Sequence, residues 1–255
     1  MSLQLNNPDL VPEKTTSFEV GLDLRWLDNR IGLDFTYYDM ETTNQIIPVA
    51  TSAATGYTTQ LINAGKMTNK GVEIQLYGNP IRANKKGGFN WDITVNYSKN
   101  ENMVVELAEG VDTYRLGDIF GAEVHAEAGK PFGSIRANNF VFDQNGNKVI
   151  GTDGRYLNGP IESIGSVLPD FNMGFLNQFR YKNFDLSVLV DWQKGGSLFS
   201  LTHMWGMYSG ILEETAATND NGMNVRDDIA DGGGVLIEGV YGYTDFDNEG
   251  NIVVH

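Results

Sequence analysis

A strict two-residue period, repeated in six stretches, constrains this chain more than any other feature. Residues 18–26 put Phe18, Val20, Leu22, Leu24 and Trp26 on one parity and Glu19, Gly21, Asp23 and Arg25 on the other. Residues 31–38 repeat the pattern, with Ile31, Leu33, Phe35 and Tyr37 against Gly32, Asp34, Thr36 and Tyr38. Val72, Ile74 and Leu76 alternate with Glu73, Gln75 and Tyr77. Phe89, Trp91, Ile93, Val95 and Tyr97 then alternate with Asn90, Asp92, Thr94, Asn96 and Ser98. A last pair runs through Phe171, Met173, Phe175, Phe179 and Tyr181, and then Phe184, Leu186, Val188, Val190 and Trp192. A helix needs apolar residues at i, i+3 and i+4, so this pattern predicts strands whose two faces differ. Their β-branched and aromatic content agrees.

The connections alternate as well. Short polar turns at 28–30, 80–88 and 182–183 pair the stretches into hairpins at about 15–40, 70–98 and 169–194. Long connections at about 41–69, 99–168 and 195–255 separate the hairpins. Compact soluble domains rarely carry structureless loops beyond ~15 residues, whereas outer-membrane barrels combine short periplasmic turns with long external loops. Aromatics near the stretch ends (Phe18 and Trp26, Phe89 and Tyr97, Phe184 and Trp192) fit the interfacial girdles of such a barrel. The expected fold is therefore all-β: a segment of an antiparallel transmembrane barrel, apolar parity towards lipid and polar parity towards a wet lumen. Six strands are too few to close a membrane barrel, for which about eight is the minimum. The sequence accordingly reads as an internal or C-terminal piece of a larger barrel. The alternative is a soluble, secreted β-rich carbohydrate-binding module, which requires the same apolar faces to bury against one another.

Composition narrows the functional classes. The net charge of −15 opposes binding to a phosphate backbone, so no nucleic-acid partner is expected. The absence of Cys removes disulfides, thiolate metal sites and cysteine nucleophiles, and the three His residues lie far apart in sequence. No stretch approaches the ~20 apolar residues of a membrane helix. Basic residues gather at the short turns (Arg30, Arg82, Lys85, Lys86, Arg180, Lys182), whereas residues 195–255 hold ten acids against Arg226 alone.

No enzymatic motif stands out. Neither a G-x-S-x-G elbow nor a P-loop is present, and the adjacent Glu213 and Glu214 do not make an acid–base pair. The chain is read as a non-enzyme without a cofactor. Two ligand readings remain beside blander ones. Trp205 and Tyr208, in a stretch from Leu201 to Glu214 that suits a short loop helix, have the amphipathic rings that grip sugars, or else they pack loops together. Asp245, Asp247 and Glu249, followed by Gly250, begin like a calcium loop, although acidic glycine turns look the same. Asp143 to Asn147 reads as a tight turn.

Several stretches also resemble a known family. Asn7-Pro8-Asp9-Leu10-Val11-Pro12-Glu13-Lys14-Thr15-Thr16, followed by Phe18-Glu19-Val20-Gly21-Leu22-Asp23, is similar to a segment found late in TonB-dependent outer-membrane receptors. Ala53 to Tyr57, Asn63 to Glu73, Phe89 to Asp92, Pro131 to Ile135, Tyr181 to Ser187 and Asp191 to Gly196 resemble its SusC/RagA-like branch. That resemblance implies a barrel of roughly 22 strands in the outer membrane of a Gram-negative cell. It implies import of oligosaccharides or peptides, a plug domain and a TonB contact located outside this sequence, and a SusD-like surface lipoprotein over the external loops. It brings no catalytic residues.

Overall fold

The computed structural model describes residues 4–50, 53–63, 65–108, 110–246 and 252–254. They form two compact units, residues 1–135 with 165–197 and residues 136–164 with 198–255.

The first unit is dominated by one six-stranded antiparallel sheet. Its strands are β1 (Lys14–Trp26), β2 (Ile31–Thr43), β3 (Lys66–Ile81), β4 (Asn90–Glu106), β5 (Pro169–Tyr181) and β6 (Phe184–Gly195). Each strand pairs with its sequence neighbour, so the sheet is an up-and-down meander. Asp28 and Asn29 take left-handed backbone (φ 52 and 62), and Arg30 N–H donates to Leu27 O at 3.1 Å. That is the primed turn whose twist suits a hairpin, and Asp and Asn tolerate it better than most residues.

Register aligns the apolar parity of all six strands. One transverse row runs Leu22, Phe35, Ile74, Tyr97, Met173 and Trp192, and the next runs Leu24, Leu33, Leu76, Val95, Phe175 and Val190. This face is not sealed inside the protein. Leu22 is 51% exposed and Trp192 51%, while Phe35, Ile74 and Ile93 are half-buried. The soluble-module alternative needed these faces closed against one another, and the sheet instead presents them as one outward band.

Aromatic clusters bound the band at both ends. Phe89 and Trp91 stack on Phe179 at 6.3 and 5.9 Å between ring centroids. At the other end Phe171 contacts Tyr97 at 5.7 Å and Trp192 at 5.4 Å. Phe171 and Phe179 lie about 27 Å apart along their strand at ~3.4 Å per residue, of the order of the ~25 Å apolar band of an outer-membrane barrel. Beyond Tyr37 and Val72 the outward parity turns charged. Lys70 pairs with Asp39 at 3.1 Å, Lys66 with Glu41 at 2.9 Å and Lys99 with Glu101 at 2.7 Å.

The strands outrun the alternation visible in sequence: β2 reaches Thr43, β3 begins at Lys66 and β4 continues to Glu106. The connection between β2 and β3 contains Ile46–Ala50 antiparallel to Thr59–Asn63, with Gln4–Leu5 parallel to the latter. After β4, Thr113–Ile119 and Ala122–Glu127 form a hairpin turned by Phe120 and Gly121, both left-handed. The Thr113–Glu127 hairpin carries no two-residue apolar period because it packs small residues, Ala122 and Ala126, which are both buried, instead of a continuous apolar face.

The strands Ser134–Phe140 and Asn158–Ser166, most of whose residues belong to the second unit, are neighbours, and within that unit Val149–Ile150 runs parallel to Val240–Tyr241. Its one α-helix among the described residues, α1, spans Leu201–Ser209. Ser200 caps its N-terminus by accepting the His203 N–H at 3.1 Å, and Gly210, left-handed at φ 73, ends it. The helix therefore stops short of the Glu214 limit expected from sequence.

Candidate functional site: the inward wall and the outward loops

The parity opposite the apolar band builds the inner wall. The same register that aligns the lipid band aligns a polar row through Asp23, Asp34, Gln75, Asn96, Gly174 and Asp191. A neighbouring row carries Thr36, Glu73, Ser98, Asn172 and Gln193. All of these but Asp23 line a concavity of about 710 Å³ with three carboxylates (Asp34, Glu73, Asp191) and no Lys or Arg. Gln75 Nε2 donates to Asn96 Oδ1 at 2.9 Å, which fixes both amides. Gly174 contributes no side chain to the row, and a Cβ there would meet Asp191 Oδ1 at 3.4 Å. The wall is not polar throughout: Leu176 and Leu189 are register partners on this face.

Towards the short turns the wall becomes ion-paired. Arg25 holds Asp23 through two bonds of 3.0 and 2.9 Å. Arg180 donates to Asp92 at 2.7 Å, and Asn79 bonds the same carboxylate. Two tyrosines lie over glycines across the strands. A Cβ on Gly32 would come within 2.0 Å of the Tyr77 ring, and one on Gly71 within 2.2 Å of the Tyr38 hydroxyl. In both cases the missing side chain makes room for a neighbouring ring that covers the bare backbone.

The outward connections hold two further polar arrangements. Buried His125 places Nε2 2.7 Å from Glu123 Oε2 and Nδ1 2.7 Å from Thr113 Oγ1, and Arg115 approaches Glu123 at 3.4 Å. The His125 bond, opposed by partial desolvation, holds the Glu123 carboxyl below its ordinary value. Asp143 accepts the N–H groups of Asn145 and Asn147 at 2.8 and 2.7 Å and the Asn147 side-chain amide at 3.0 Å. These bonds, that of the Asn147 side chain first, lower its pKa. The segment is the tight turn its composition suggests.

Of the residues singled out from sequence, Trp205 and Tyr208 lie together on α1. Their rings meet edge to face at 5.6 Å, and Tyr208 is 83% exposed. Asp245 lies in the strand Thr244–Phe246, while Asp247 and Glu249 are outside the described residues. Among the described residues no group of three or more His, Asp or Glu side chains is arranged to hold a metal ion. Sequence reasoning recognised the inward parity but did not bring Asp34, Glu73 and Asp191 together, and it missed the Thr113–His125–Glu123 line. The alternation was the available signal for the first; nothing local signalled the second.

A meander with one lipid-suited face, one wet face, aromatic ends and all tight turns at one edge defines a segment of an outer-membrane β-barrel. The chain belongs to the TonB dependent receptor-like, beta-barrel family, whose profile matches residues 1–247. This is a family of outer-membrane receptors and transporters of Gram-negative bacteria, not of enzymes. The chain is 28% identical to TonB-dependent receptor P3 of Formosa agariphila over 82% of its own length and 23% of the relative's. It is 28% identical to TonB-dependent receptor SusC of Bacteroides thetaiotaomicron over 71% of its length and 19% of SusC. Among solved structures it is similar to the RagAB peptide transporter, with TM-score 0.58 and 25% identity over 74% of this chain and 22% of that one. It is likewise similar to the RagAB peptide importer in its open-open state, with TM-score 0.59 and 27% identity over 74% of this chain and 21% of that one. The chain thus spans a quarter or less of the length of these relatives.

Proposed function

We propose that the chain forms part of the wall and the external loops of a TonB-dependent importer of the SusC/RagA kind, which takes up oligosaccharides or peptides. The observation that carries this reading is the two-faced sheet, apolar and aromatic-bounded on one side and amide- and carboxylate-lined on the other. Among the described residues β1 and β6 each pair on one side only. Unpaired backbone groups are strongly disfavoured in lipid, so further strands of the full receptor complete the barrel at both edges. The likeness to SusC and to the RagAB peptide transporter supports the choice of cargo classes. An anionic wall disfavours anionic cargo and suits neutral sugars or peptides with free amines. Trp205 and Tyr208 supply ring surface for such a ligand on the outward side. A SusD-like lipoprotein covers the external loops, and a TonB complex supplies the energy through another part of the receptor.

Uptake of labelled oligosaccharides and peptides by cells with and without the receptor gene tests this reading. Loss of uptake for one class is expected; unchanged uptake of both overturns it. Isolation of the full-length receptor from outer membranes is expected to bring a lipid-anchored surface protein with it.

A further inference from the structure

The outward face of the sheet is indented at the end that carries the short turns. Across one transverse row Trp26 and Ile31 lie on one side of Gly78, and Ile93 on the other. Gly78 has no side chain to continue the band, which leaves a groove of about 480 Å³ floored by Leu76 and Val95. That volume falls within the ~300–1,000 Å³ range of small-ligand clefts. Leu27, 67% exposed, and Pro80 form its rim at the turns, and Arg30 lines it. The groove is continuous with the lipid-facing band and opens at the level where headgroups lie.

Arg30 is the one charged residue that lines the groove. Arg30 donates to the backbone carbonyls of Asn79 and Pro80 at 3.1 and 3.4 Å, bonds that orient the guanidinium without neutralising it. The adjoining turn adds Arg82, Lys85 and Lys86, all exposed. None of the four has a carboxylate partner among the described residues; Asp28 is the one acid in the turn that carries Arg30. Basic side chains at a membrane surface concentrate anionic lipid, and long ones reach along the apolar surface to put their charge at the interface.

We propose that this groove is a binding site for one acyl chain of an anionic phospholipid in the periplasmic leaflet, its phosphate held by Arg30 and the cations of the Arg82–Lys86 turn. The proposal rests on the apolar face being lipid-facing. It goes beyond the transport reading, since it assigns the wall a preferred lipid.

Native mass spectrometry of the full-length receptor in mild detergent tests it, with phosphatidylglycerol or phosphatidylethanolamine of identical acyl chains as probe. Retention of phosphatidylglycerol is expected to exceed that of phosphatidylethanolamine about fivefold or more, the effect of a basic side chain near an anionic surface. Gly78→Leu fills the groove. A Cβ there meets Arg30 O and Ile93 Cγ2 at an ordinary 3.7 Å, so the strand tolerates it. This variant is expected to lose one retained phosphatidylglycerol. The Lys85→Gln, Lys86→Gln double variant, which leaves the groove intact, is expected to reduce the lipid preference while one chain is still retained. Equal retention of the two lipids by the unaltered receptor overturns the proposal, as does undiminished phosphatidylglycerol retention in Gly78→Leu. Heat-modifiable electrophoretic mobility, read on every sample, reports separately whether the barrel itself has folded.

Discussion

The wall and the outward connections obey opposite rules of burial. Among the described residues, the buried apolar side chains are Val104, Ala122, Ala126, Ile135, Val141, Val149 and Ile150. Only Val104 belongs to the wall, at the outward end of β4, and it is 0% exposed. The large apolar residues of the wall proper, from Phe18 to Phe184 and Trp192, stay accessible. The connections behave like a water-soluble protein, which gains stability by removing apolar surface from water. The wall gains its stability from backbone pairing and leaves its apolar surface for lipid. One chain is thus built for two solvents, and a substitution means different things in each.

The largest effect should come from a charge in the middle of the band. Val190→Arg in the full-length receptor is expected to destabilise the folded barrel by about 2–4 kcal/mol, against about 0–1 for an Arg near the interface. Denaturant titration in lipid vesicles measures this, and a neutral result would return the sheet to the soluble class. Truncation separates the regions from the other side. Val149→Ala, at a residue that is 0% exposed, leaves a cavity in the connections and is expected to lose about 2–3 kcal/mol, whereas Val20→Ala on the band, where lipid fills the space, should lose clearly less. Equal losses in the same titration would erase the distinction.

Gly32→Ala sets a Cβ against the Tyr77 ring and is expected to cost about 1–3 kcal/mol by overpacking. The added Tyr77→Ala change should restore part of that loss, because it removes the clash. On the outward side, Trp205→Ala and Tyr208→Ala are expected to weaken cargo binding several-fold while leaving barrel stability within about 0.5 kcal/mol, as for surface changes away from the core. Titration calorimetry with the transported cargo reads the first and the unfolding titration the second.

The smallest effect is that of pH on the Asp143 turn. Its carboxyl titrates lower when folded than when unfolded because the charged form accepts the Asn147 and Asn145 donors. The stability it contributes is therefore present above the ordinary Asp value of ~3.9 and is lost as pH falls through the lowered folded value. Amide exchange at Asn147 should accelerate over that acidic window, and Asp143→Asn should abolish the dependence.

Much of the wall was legible because successive side chains of a strand alternate sides, so lipid on one face and water on the other write a period of two into the sequence. The turns were legible where special backbone was needed, as at Asp28-Asn29. The long connections were legible only in pieces: the short helix at Leu201–Ser209 and the Asp143 turn showed in composition, whereas the hairpin at Thr113–Glu127 and pairings such as Val149 with Val240 rest on contacts that no local pattern announces. The inner site was half legible: Asp34, Glu73 and Asp191 could be assigned to the wet face, but not to one concavity.

The amino-acid order alone determined which side of each strand meets hydrocarbon, because that depends on parity and on the partitioning of single side chains. Register decided everything that involves two strands at once. It set Gly78 between Ile31 and Ile93 to open a groove, laid Tyr77 over Gly32, and gathered carboxylates from three strands at one wall. A hydrogen-bonded ladder can slip by two residues and keep the same parity, so only the folded sheet, with its turns and bulges, selects which residues become neighbours.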